Sequence, residues 1–551
     1  PDKPFILVEY CHAMGNGPGD LEDYWEVILA DEHACGGFVW EWCDHTVLAG
    51  RDETGREIHL YGGDHGETVH DANFCVDGLV ASDRTPHAGL LELKNVQRPA
   101  RVVDYDQERG LVTLRNDLDF TDLDQYARLS YEIRCDGTVV ESGPLELPGP
   151  VPPHSIVTLR CAPAVPDAGR CHLLITSRLR RQVPLLEPGH ELGFDEIPLA
   201  NADPRHRAVA KALGPVAEAL EAGADVAARP NGAVGCADPA GAVGAGSAVG
   251  AGSAADAADA VRDGCETTLT GGDLTVVVDT RSGLPRSLRV GDRELLDRPM
   301  ELNIWRAPTD NDRHIRRQWE RAGYDRAGAQ AYSTRIIRRR GAVAVHAEMS
   351  VSATALQPAL RVRAVWTVTE SGELAVNLRA RKSEGFPCLP RFGLRLFLPS
   401  SMHQVAYYGL GPGESYIDKH RSCHHDEFRT TVAELHEGCI RPQESGSRAD
   451  CDYVTLSDGD LGLTAVGLRP FSFNVSAYTQ EELTRTAHDV ELAECRSTVL
   501  CLDGAMAGIG SASCGPELRP EYRVDGGALG LDLVLLPTLF SPVPAQHNEV
   551  N

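Results

Sequence analysis

The first part of the chain alternates apolar runs with a helical pattern. Residues 5–8 (FILV) form an apolar run that predicts a strand buried on both faces. Residues 19–32 (GDLEDYWEVILADE) carry apolar side chains at helical spacing, and Asp20 with Asp23 resembles a capping box. A second apolar run follows at residues 36–40 (GGFVW). Strand, helix and strand in this order predict a βαβ unit and therefore a parallel sheet.

The pattern changes at Arg98 and Pro99, and we place the end of the first domain at residue 98. Residues 99–202 contain short alternating runs separated by turn residues, which predicts an antiparallel β-sandwich of immunoglobulin size. Alternation returns from residue 264 to 551 and predicts a large all-β sandwich domain, with a hairpin over residues 273–295.

Residues 203–263 are rich in Ala, Gly, Asp and Pro, and the sequence AVGAGS occurs there twice in tandem, at 242–247 and 248–253. Such a composition buries too little apolar surface to offset the entropy of ordering. We expect a flexible linker or a disordered insertion, with a frayed helix at 206–222.

Composition limits the classes of partner. The chain has 551 residues, which indicates several domains, and a formal net charge of -27, which argues against nucleic acid or an anionic membrane as a partner. No apolar run reaches the length of about 18 residues that a membrane-spanning helix needs. The 16 cysteines are scattered, without a CxxC pair, and predict a reduced, cytoplasmic protein.

Glu9 stands at the end of the first predicted strand, and three interpretations of it compete. It could cap a helix or form a salt bridge, it could bind a metal together with His12, or it could be catalytic. A carboxylate at the carboxyl end of a barrel strand is where α/β barrels place catalytic groups. Tyr10 beside it and Trp40 and Trp42 on the next strand are aromatic side chains of the kind that pack against sugar rings.

Six motifs carry a resemblance to a known family. They are VEYCHAMGNGPGDLEDYWEVI (8–28), GGFVWEWCDH (36–45), YGGDHGETVHDANFCVDGLVASDRTPH (61–87), NIWRAPTDND (303–312), GLGPGESYIDKH (409–420) and ECRSTVLCLDGAMAGIGSASCGP (494–516). In this order they resemble the β-galactosidases of glycoside hydrolase family 2. The resemblance implies the last strands of a (β/α)8 TIM barrel, an immunoglobulin-like β-sandwich and the large β-sandwich domain of the β-galactosidase small chain.

The resemblance also implies roles for individual residues. Glu9 would be the nucleophile of a retaining double displacement that removes terminal β-D-galactose from substrates such as lactose. The expected substrate contacts are Tyr10, His12, Trp40 as the floor under the sugar, Asp77, and Cys514 at the second sugar, where some relatives have tryptophan. We expect Glu41 and Asp44 to make structural hydrogen bonds.

The same resemblance implies binding sites for two metal ions and a loop that moves. Na⁺ would be bound by the carbonyl oxygen of Phe74 and by Asp77, which replaces the Asn of the best-known members. The ligands of a catalytic Mg²⁺ would lie upstream of this chain. Gly411 would be the hinge of a loop that closes over the active site, with Glu414 beside it.

The proton donor of this family also comes from earlier barrel strands, so we expect the chain to be the C-terminal portion of a longer homo-oligomeric enzyme and to be inactive alone. The alternative is a noncatalytic carbohydrate-binding or assembly subunit of a split β-galactosidase. Glu9, Tyr10, His12 and Trp40 argue against that alternative, because a binding subunit needs no nucleophile.

Overall fold

The structure is a computed structural model that describes residues 3–216 and 258–539. The first part contains the predicted βαβ unit: strand β1 (Phe5–Tyr10), helix α1 (Leu21–Ala30) and strand β2 (Ala34–Val39). β1 and β2 are parallel, with Phe5 opposite Ala34 and Tyr10 opposite Val39. A hairpin of β3 (Val47–Arg51) and β4 (Glu57–Leu60) and helix α2 (Ala88–Val96) complete this part.

Two details of the prediction for this part are wrong. β1 is not buried on both faces, since Phe5 is 56% exposed and Val8 is 76% exposed. The reason is that β1 pairs only with β2 among the described residues, so much of its apolar surface has no cover. Asp20 does not cap α1: it has a left-handed backbone with φ of 51° and makes no capping hydrogen bond. Its side chain instead accepts hydrogen bonds from Cys11 and Ser511.

Residues 100–198 form two antiparallel sheets with a common core, as the alternating pattern predicts. The first sheet has the order β5-β6-β9 and the second the order β11-β10-β7-β8. The core between them includes Leu114, Leu123, Ile133 and Leu173, all fully buried. The elements are β5 (Ala100–Asp106), β6 (Leu111–Asn116), α3 (Leu123–Tyr126), β7 (Ala127–Cys135), β8 (Thr138–Leu145), β9 (Ile156–Arg160), β10 (Cys171–Leu179) and β11 (Glu191–Pro198).

The predicted linker or insertion lies mostly outside the described residues, which stop at 216 and resume at 258. Within the described part, helix α4 (Arg207–Leu213) falls in the segment where we expected a helix, and it is packed. Its Val209 and Leu213 join a core cluster with Val466 and Val534 of the last domain.

The remaining residues are almost entirely β-structure. A five-stranded meander contains β12 (Asp259–Asp263), β13 (Glu266–Gly271), β14 (Leu274–Asp279), β15 (Leu284–Val290) and β16 (Arg293–Glu294). β14 and β15 pair with Leu274 opposite Val290, which confirms the predicted hairpin.

A 12-stranded sheet packs against the meander around one large core. Its main path has the order β17-β22-β27-β26-β28-β21-β20-β19-β18. The strands are β17 (Arg298–Asn303), β18 (Gly328–Arg339), β19 (Ala342–Ser352), β20 (Leu360–Thr369), β21 (Leu374–Lys382), β22 (Arg391–Pro399), β23 (Gln404–Gly411), β24 (His424–Thr431), β25 (Arg448–Ser457), β26 (Leu461–Ser476), β27 (Ser497–Met506) and β28 (Leu529–Leu539); the short helices are α5 (Arg316–Ala322) and α6 (Gln480–Arg485). None of the helices in the described ranges has the length and apolar character needed to cross a membrane.

Candidate active site

The carboxyl ends of β1 and β2 bring Glu9 and Trp40 to one edge of the parallel sheet. The two strand ends are fixed to each other, because the Trp40 N–H donates to the Tyr10 carbonyl at 3.2 Å and the Ala13 N–H donates to the Trp40 carbonyl at 2.7 Å. Glu9 is exposed, and Trp40 keeps 41% of its surface exposed. A carboxylate and an indole face are therefore both accessible at the edge where barrel enzymes bind substrate.

Glu9 lies in a cluster with His12 and Cys514. One oxygen, one nitrogen and one sulfur of these side chains all lie within 4.8 Å of one another. Glu9 and Cys514 are exposed, whereas His12 is only 2% exposed. The cluster joins the first part of the chain to the last domain, so the site is formed by residues that are far apart in the sequence.

His12 is a neutral imidazole at physiological pH. Burial lowers the pKa of His12 to about 4, and the nearby Arg313 guanidinium adds to this effect. Its Nδ1 lies 3.2 Å from the Ser513 hydroxyl, while its Nε2 is buried and has no hydrogen-bond partner among the described residues. A neutral ring with one unused nitrogen can accept a hydrogen bond from, or donate one to, a substrate hydroxyl.

Asp77 is buried next to His12 and Trp40. Its Oδ2 accepts a hydrogen bond from Trp40 Nε1 at 3.1 Å and lies 3.5 Å from His12 Nε2. Its Oδ1 is buried without a partner among the described residues. Burial raises the pKa of Asp77 to about 7, and the Glu41 carboxylate acts in the same direction. Because the pKa of His12 is about 4, the contact between the two is not an ion pair at neutral pH.

Phe74 lies in a 3₁₀ turn (Ala72–Cys75) that leads to Asp77. Its ring is 5.4 Å from the His12 ring and 5.9 Å from the Arg313 guanidinium. The structure therefore places Phe74 and Asp77 on the same side of the site.

The structure does not bring Tyr10 into this cluster. Neighbouring residues of a strand point to opposite faces, so Tyr10 points away from the side on which Glu9 lies. Tyr10 is 6% exposed, packs with Leu21 and Val96, and its hydroxyl accepts a hydrogen bond from Trp25 Nε1 at 3.0 Å. Burial raises its pKa to about 12. This position suits a core residue better than the substrate contact that we expected.

Glu414 lies against the glycine-rich turn that follows Glu9, and Gly411 is the last residue of β23. Glu414 is 2% exposed and forms an ion pair with Lys419 at 2.6 Å. Its other oxygen accepts from Asn16 Nδ2 at 3.3 Å, and Lys419 Nζ donates to Asn16 Oδ1 at 2.8 Å. A side chain at Gly411 would collide with the ring of Phe428, so the chain there is closely packed. Movement of this loop stays a prediction.

Two further glycines of the turn allow it to approach the last domain. Gly15 has φ of 61°, and a Cβ there would lie 2.5 Å from both Asp310 Oδ2 and Gln443 Nε2. The Gly19 N–H donates to the Gly510 carbonyl at 2.9 Å, and a Cβ at Gly19 would lie 2.5 Å from the Gly510 nitrogen. The last domain therefore fixes the turn that carries His12.

Sequence reasoning missed several residues that support the site. Asp310 accepts from Asn73 Nδ2 at 3.0 Å and from Gln443 Nε2 at 2.8 Å. Arg313 donates to the Ser513 carbonyl at 3.0 Å. Asp310 and Arg313 lie in or next to the motif NIWRAPTDND, and that motif was the available signal. Asp44 does make the expected structural bonds, to His87 Nε2 at 2.9 Å and the Gly78 N–H at 2.8 Å.

Three family models match successive parts of the chain. Residues 1–102 match the family model of the TIM barrel domain of glycosyl hydrolases family 2. Residues 112–200 match domain 4 of β-galactosidase, and residues 270–535 match the β-galactosidase small chain. The chain belongs to glycoside hydrolase family 2.

Family 2 relatives match nearly the whole chain. A β-galactosidase of Actinobacillus pleuropneumoniae is 37% identical over 525 residues, which are 95% of this chain and 46% of that protein. A β-galactosidase of Staphylococcus xylosus is 34% identical over 95% of this chain and 48% of its own length. The chain thus spans about half the length of these relatives. Among solved structures, a galactose 1-epimerase from Lactobacillus acidophilus NCFM aligns with 52% of this chain and 99% of its own at 9% identity, but its TM-score of 0.30 supports no conclusion.

Proposed function

We propose that this chain supplies the nucleophile of a retaining β-galactosidase. The observation that carries the proposal is the position of Glu9: an exposed carboxylate at the carboxyl end of a parallel strand, next to His12 and an accessible Trp40, in a segment that matches the family 2 barrel. The β-galactosidases that match most of the chain support β-galactosides as the substrate class, and lactose is the member of that class that we propose.

In the proposed reaction Glu9 attacks the anomeric carbon and forms a covalent glycosyl-enzyme, which water then hydrolyses with overall retention. The indole face of Trp40 provides an apolar surface for the sugar ring, and its hydrogen bond to Asp77 holds the indole in place. The neutral His12 ring, and Asp77 beside it, are placed to bind hydroxyl groups. Cys514 would meet the leaving-group sugar beside Glu9.

The proton donor comes, in this proposal, from barrel strands outside this chain. A retaining glycosidase needs a second carboxyl group about 5 Å from the nucleophile. A TIM barrel closes with eight strands, whereas β1 and β2 are the parallel pair observed among the described residues. The same strands would bring the ligands of Mg²⁺. Of the described residues, the two groups that could hold a metal both contain histidine, whereas Mg²⁺ prefers oxygen ligands.

The described residues do fit a sodium ion near Asp77. A buried carboxylate oxygen without a partner is expensive, and a cation next to it would offset that cost. Asp77 and the Phe74 carbonyl would hold the ion. When bound, Na⁺ would supply positive charge to orient oxygen atoms of the sugar.

The experiment is to trap the intermediate. The complete enzyme, in which this chain works with the remaining barrel strands, is incubated with a 2-deoxy-2-fluoro β-galactoside and digested. We expect the sugar on the peptide that contains Glu9, and no labelling in Glu9→Gln, with activity reduced by several orders of magnitude. Glu41→Gln is the control, because Glu41 is an acid of the same region that lies outside the cluster. A label on another carboxylate would contradict the proposal.

A noncatalytic assembly or sugar-binding subunit is the second candidate. The exposed apolar side chains of the first part, such as Phe5, Val8 and Trp42, favour a surface that docks another part of a barrel. The trapping experiment separates the two functions, because a subunit without a nucleophile would bind the galactoside and remain unlabelled.

A further inference from the structure

Glu9, His12 and Cys514 offer three different ligand atoms at one place. Their carboxylate oxygen, imidazole nitrogen and thiol sulfur lie within 4.8 Å of one another. Donor atoms bound to one tetrahedral zinc lie about 3.3–3.8 Å apart, because zinc binds oxygen and nitrogen at about 2.0–2.2 Å and sulfur at about 2.3 Å, so the three atoms would have to move closer together to share an ion. Small movements of the exposed Glu9 and Cys514 side chains would complete the geometry.

A second observation points to a ligand at this place. His12 is 2% exposed, yet its Nε2 has no hydrogen-bond partner among the described residues. Folded proteins rarely leave a polar atom buried without a partner unless something binds there.

The ligand set selects the type of ion. Sodium, magnesium and calcium are bound by oxygen atoms, and a thiol is a poor ligand for them. One nitrogen, one sulfur and one oxygen suit Zn²⁺, which takes tetrahedral sites with these donors and can keep a fourth position for water. This site therefore differs in chemistry from the sodium site proposed at Phe74 and Asp77.

We propose that Glu9, His12 and Cys514 bind a Zn²⁺ ion that inhibits the enzyme by occupying its nucleophile. The zinc–sulfur bond forms as the Cys514 thiol releases its proton to solvent, and no redox step is involved. A zinc-bound Glu9 oxygen is not available to attack an anomeric carbon. The inhibition rests on the proposed function, whereas the binding of zinc does not.

The charges around the cluster are compatible with a bound Zn²⁺ ion. Arg313 faces it and opposes a cation, since its charge acts on both His12 and Cys514. Two carboxylates, Glu9 and Asp77, act on Cys514 in the opposite sense. With the Cys514 thiolate formed on binding, negative charges outnumber Arg313.

The first experiment uses Co²⁺ as a spectroscopic substitute for zinc on the full chain. We expect a cobalt–thiolate charge-transfer band in the near ultraviolet that one equivalent of Zn²⁺ removes. Cys514→Ser should lose the band and bind Zn²⁺ at least about tenfold more weakly. Cys265→Ser is the matched control, because Cys265 is also an exposed free cysteine but lies outside the cluster. A band that survives Cys514→Ser, or that requires Cys265, would overturn the proposal.

A second measurement uses the unsubstituted chain, so its result does not depend on whether the Cys514→Ser variant folds. Iodoacetamide labelling of each cysteine is followed by peptide mass mapping with and without Zn²⁺. Zinc should slow the labelling of Cys514 at least about tenfold and leave Cys265 and Cys35 unchanged. Equal labelling rates of Cys514 with and without zinc would rule out the site.

Inhibition is then tested on the complete enzyme. Zn²⁺ should block the labelling of Glu9 by the fluorinated galactoside, and dialysis into a zinc-free buffer that contains Mg²⁺ should restore it. If zinc binds at Cys514 but Glu9 is never labelled, the proposed function fails and the metal site stands. If Glu9 is labelled at the same rate with zinc present, the inhibitory role is wrong.

Discussion

At the scale of single residues, the site depends on close contact between two parts of the chain. Gly15 has a left-handed backbone and lies against Asp310 and Gln443 of the last domain. These two residues are hydrogen-bonded to each other, with 2.8 Å between Gln443 Nε2 and Asp310 Oδ2. A side chain at position 15 would separate them and displace the turn that carries His12.

Gly15→Ala should therefore be more harmful than an ordinary glycine substitution. The left-handed conformation costs an alanine about 1–2 kcal/mol, and the collision adds about 1–3 kcal/mol. Gly291→Ala is the control, because Gly291 has φ of 55° but a Cβ added there would meet no atom within 4 Å. Calorimetry of both variants measures the unfolding temperature, and the rate of Glu9 labelling reports on the site. Equal effects of the two substitutions on both readouts would contradict this account.

At the scale of secondary-structure elements, an ion cluster connects β10 and β11 to β24 and β25. His425 lies between two carboxylates, with Nδ1 2.7 Å from Glu196 and Nε2 2.8 Å from Asp450. Arg170 also pairs with Asp450, at 2.6 Å. The His172 ring is stacked on His425 at 4.4 Å between centroids. Because both His425 nitrogens already have carboxylate partners, we interpret this group as an ion cluster and not as a metal site.

The cluster should make stability depend on pH. Burial opposes the charged forms of His425 and Glu196. The hydrogen bonds and opposite charges that join His425 to Glu196 and Asp450 outweigh this effect. The pKa of His425 is therefore raised and the pKa of Glu196 is lowered. A raised histidine pKa contributes stability that is complete below the unfolded value of about 6.5 and is lost as the pH rises through the folded value. A lowered glutamate pKa contributes stability above about 4.3 that is lost as the pH falls.

His425→Gln should therefore destabilise the protein by about 1.5–3 kcal/mol at about pH 6 and by clearly less at about pH 9, since glutamine cannot carry the charge. His190→Gln is the matched control, because His190 is exposed and lies immediately before β11. Calorimetric unfolding at the two pH values measures the difference. An effect of His425→Gln that is the same at both would show that packing, not charge, is what the histidine contributes.

Sequence patterns predicted the positions of strands and helices better than they predicted burial and tertiary contacts. The spacing of apolar residues located α1 between β1 and β2, and the alternating pattern over residues 273–295 located the β14–β15 hairpin, because both signals are local. The exposure of Phe5 and Val8 was not predictable, since burial depends on which strands lie alongside. The left-handed Asp20 was missed because its partners, Cys11 and Ser511, are fixed by tertiary contacts.

The candidate site shows the same limit. Glu9, His12 and Trp40 are close in sequence, and their common location followed from the βαβ pattern. The contact of Cys514 and Arg313 with the Glu9 region joins distant segments, and no periodicity encodes it. Resemblance to a family placed Cys514 near the site, whereas only the three-dimensional structure showed that its sulfur shares one small volume with Glu9 and His12.

At the scale of the whole molecule, the all-β last domain differs from the first part, whose short parallel sheet has unpaired edges among the described residues. The last domain has a large closed core, with Trp366, Phe392 and Phe473 fully buried. In contrast, Phe38 is 64% exposed and Trp42 is 60% exposed in the first part. Apolar surface of this kind next to unpaired strand edges is typical of a sheet that continues into further strands.

The isolated chain should therefore show no useful hydrolysis of a nitrophenyl β-galactoside, because in the proposed function the acid that protonates the leaving group comes from barrel strands outside this chain. Addition of a protein that supplies the remaining barrel strands should restore turnover, and Glu9→Gln in the same mixture should abolish it again. The mixture with Glu9→Gln is the control for contaminating activity. Normal turnover by the unsubstituted chain alone would contradict this expectation and would place a proton donor within it. Asp77 would then be the first acid to test, since its pKa of about 7 lets it hold a proton near neutral pH.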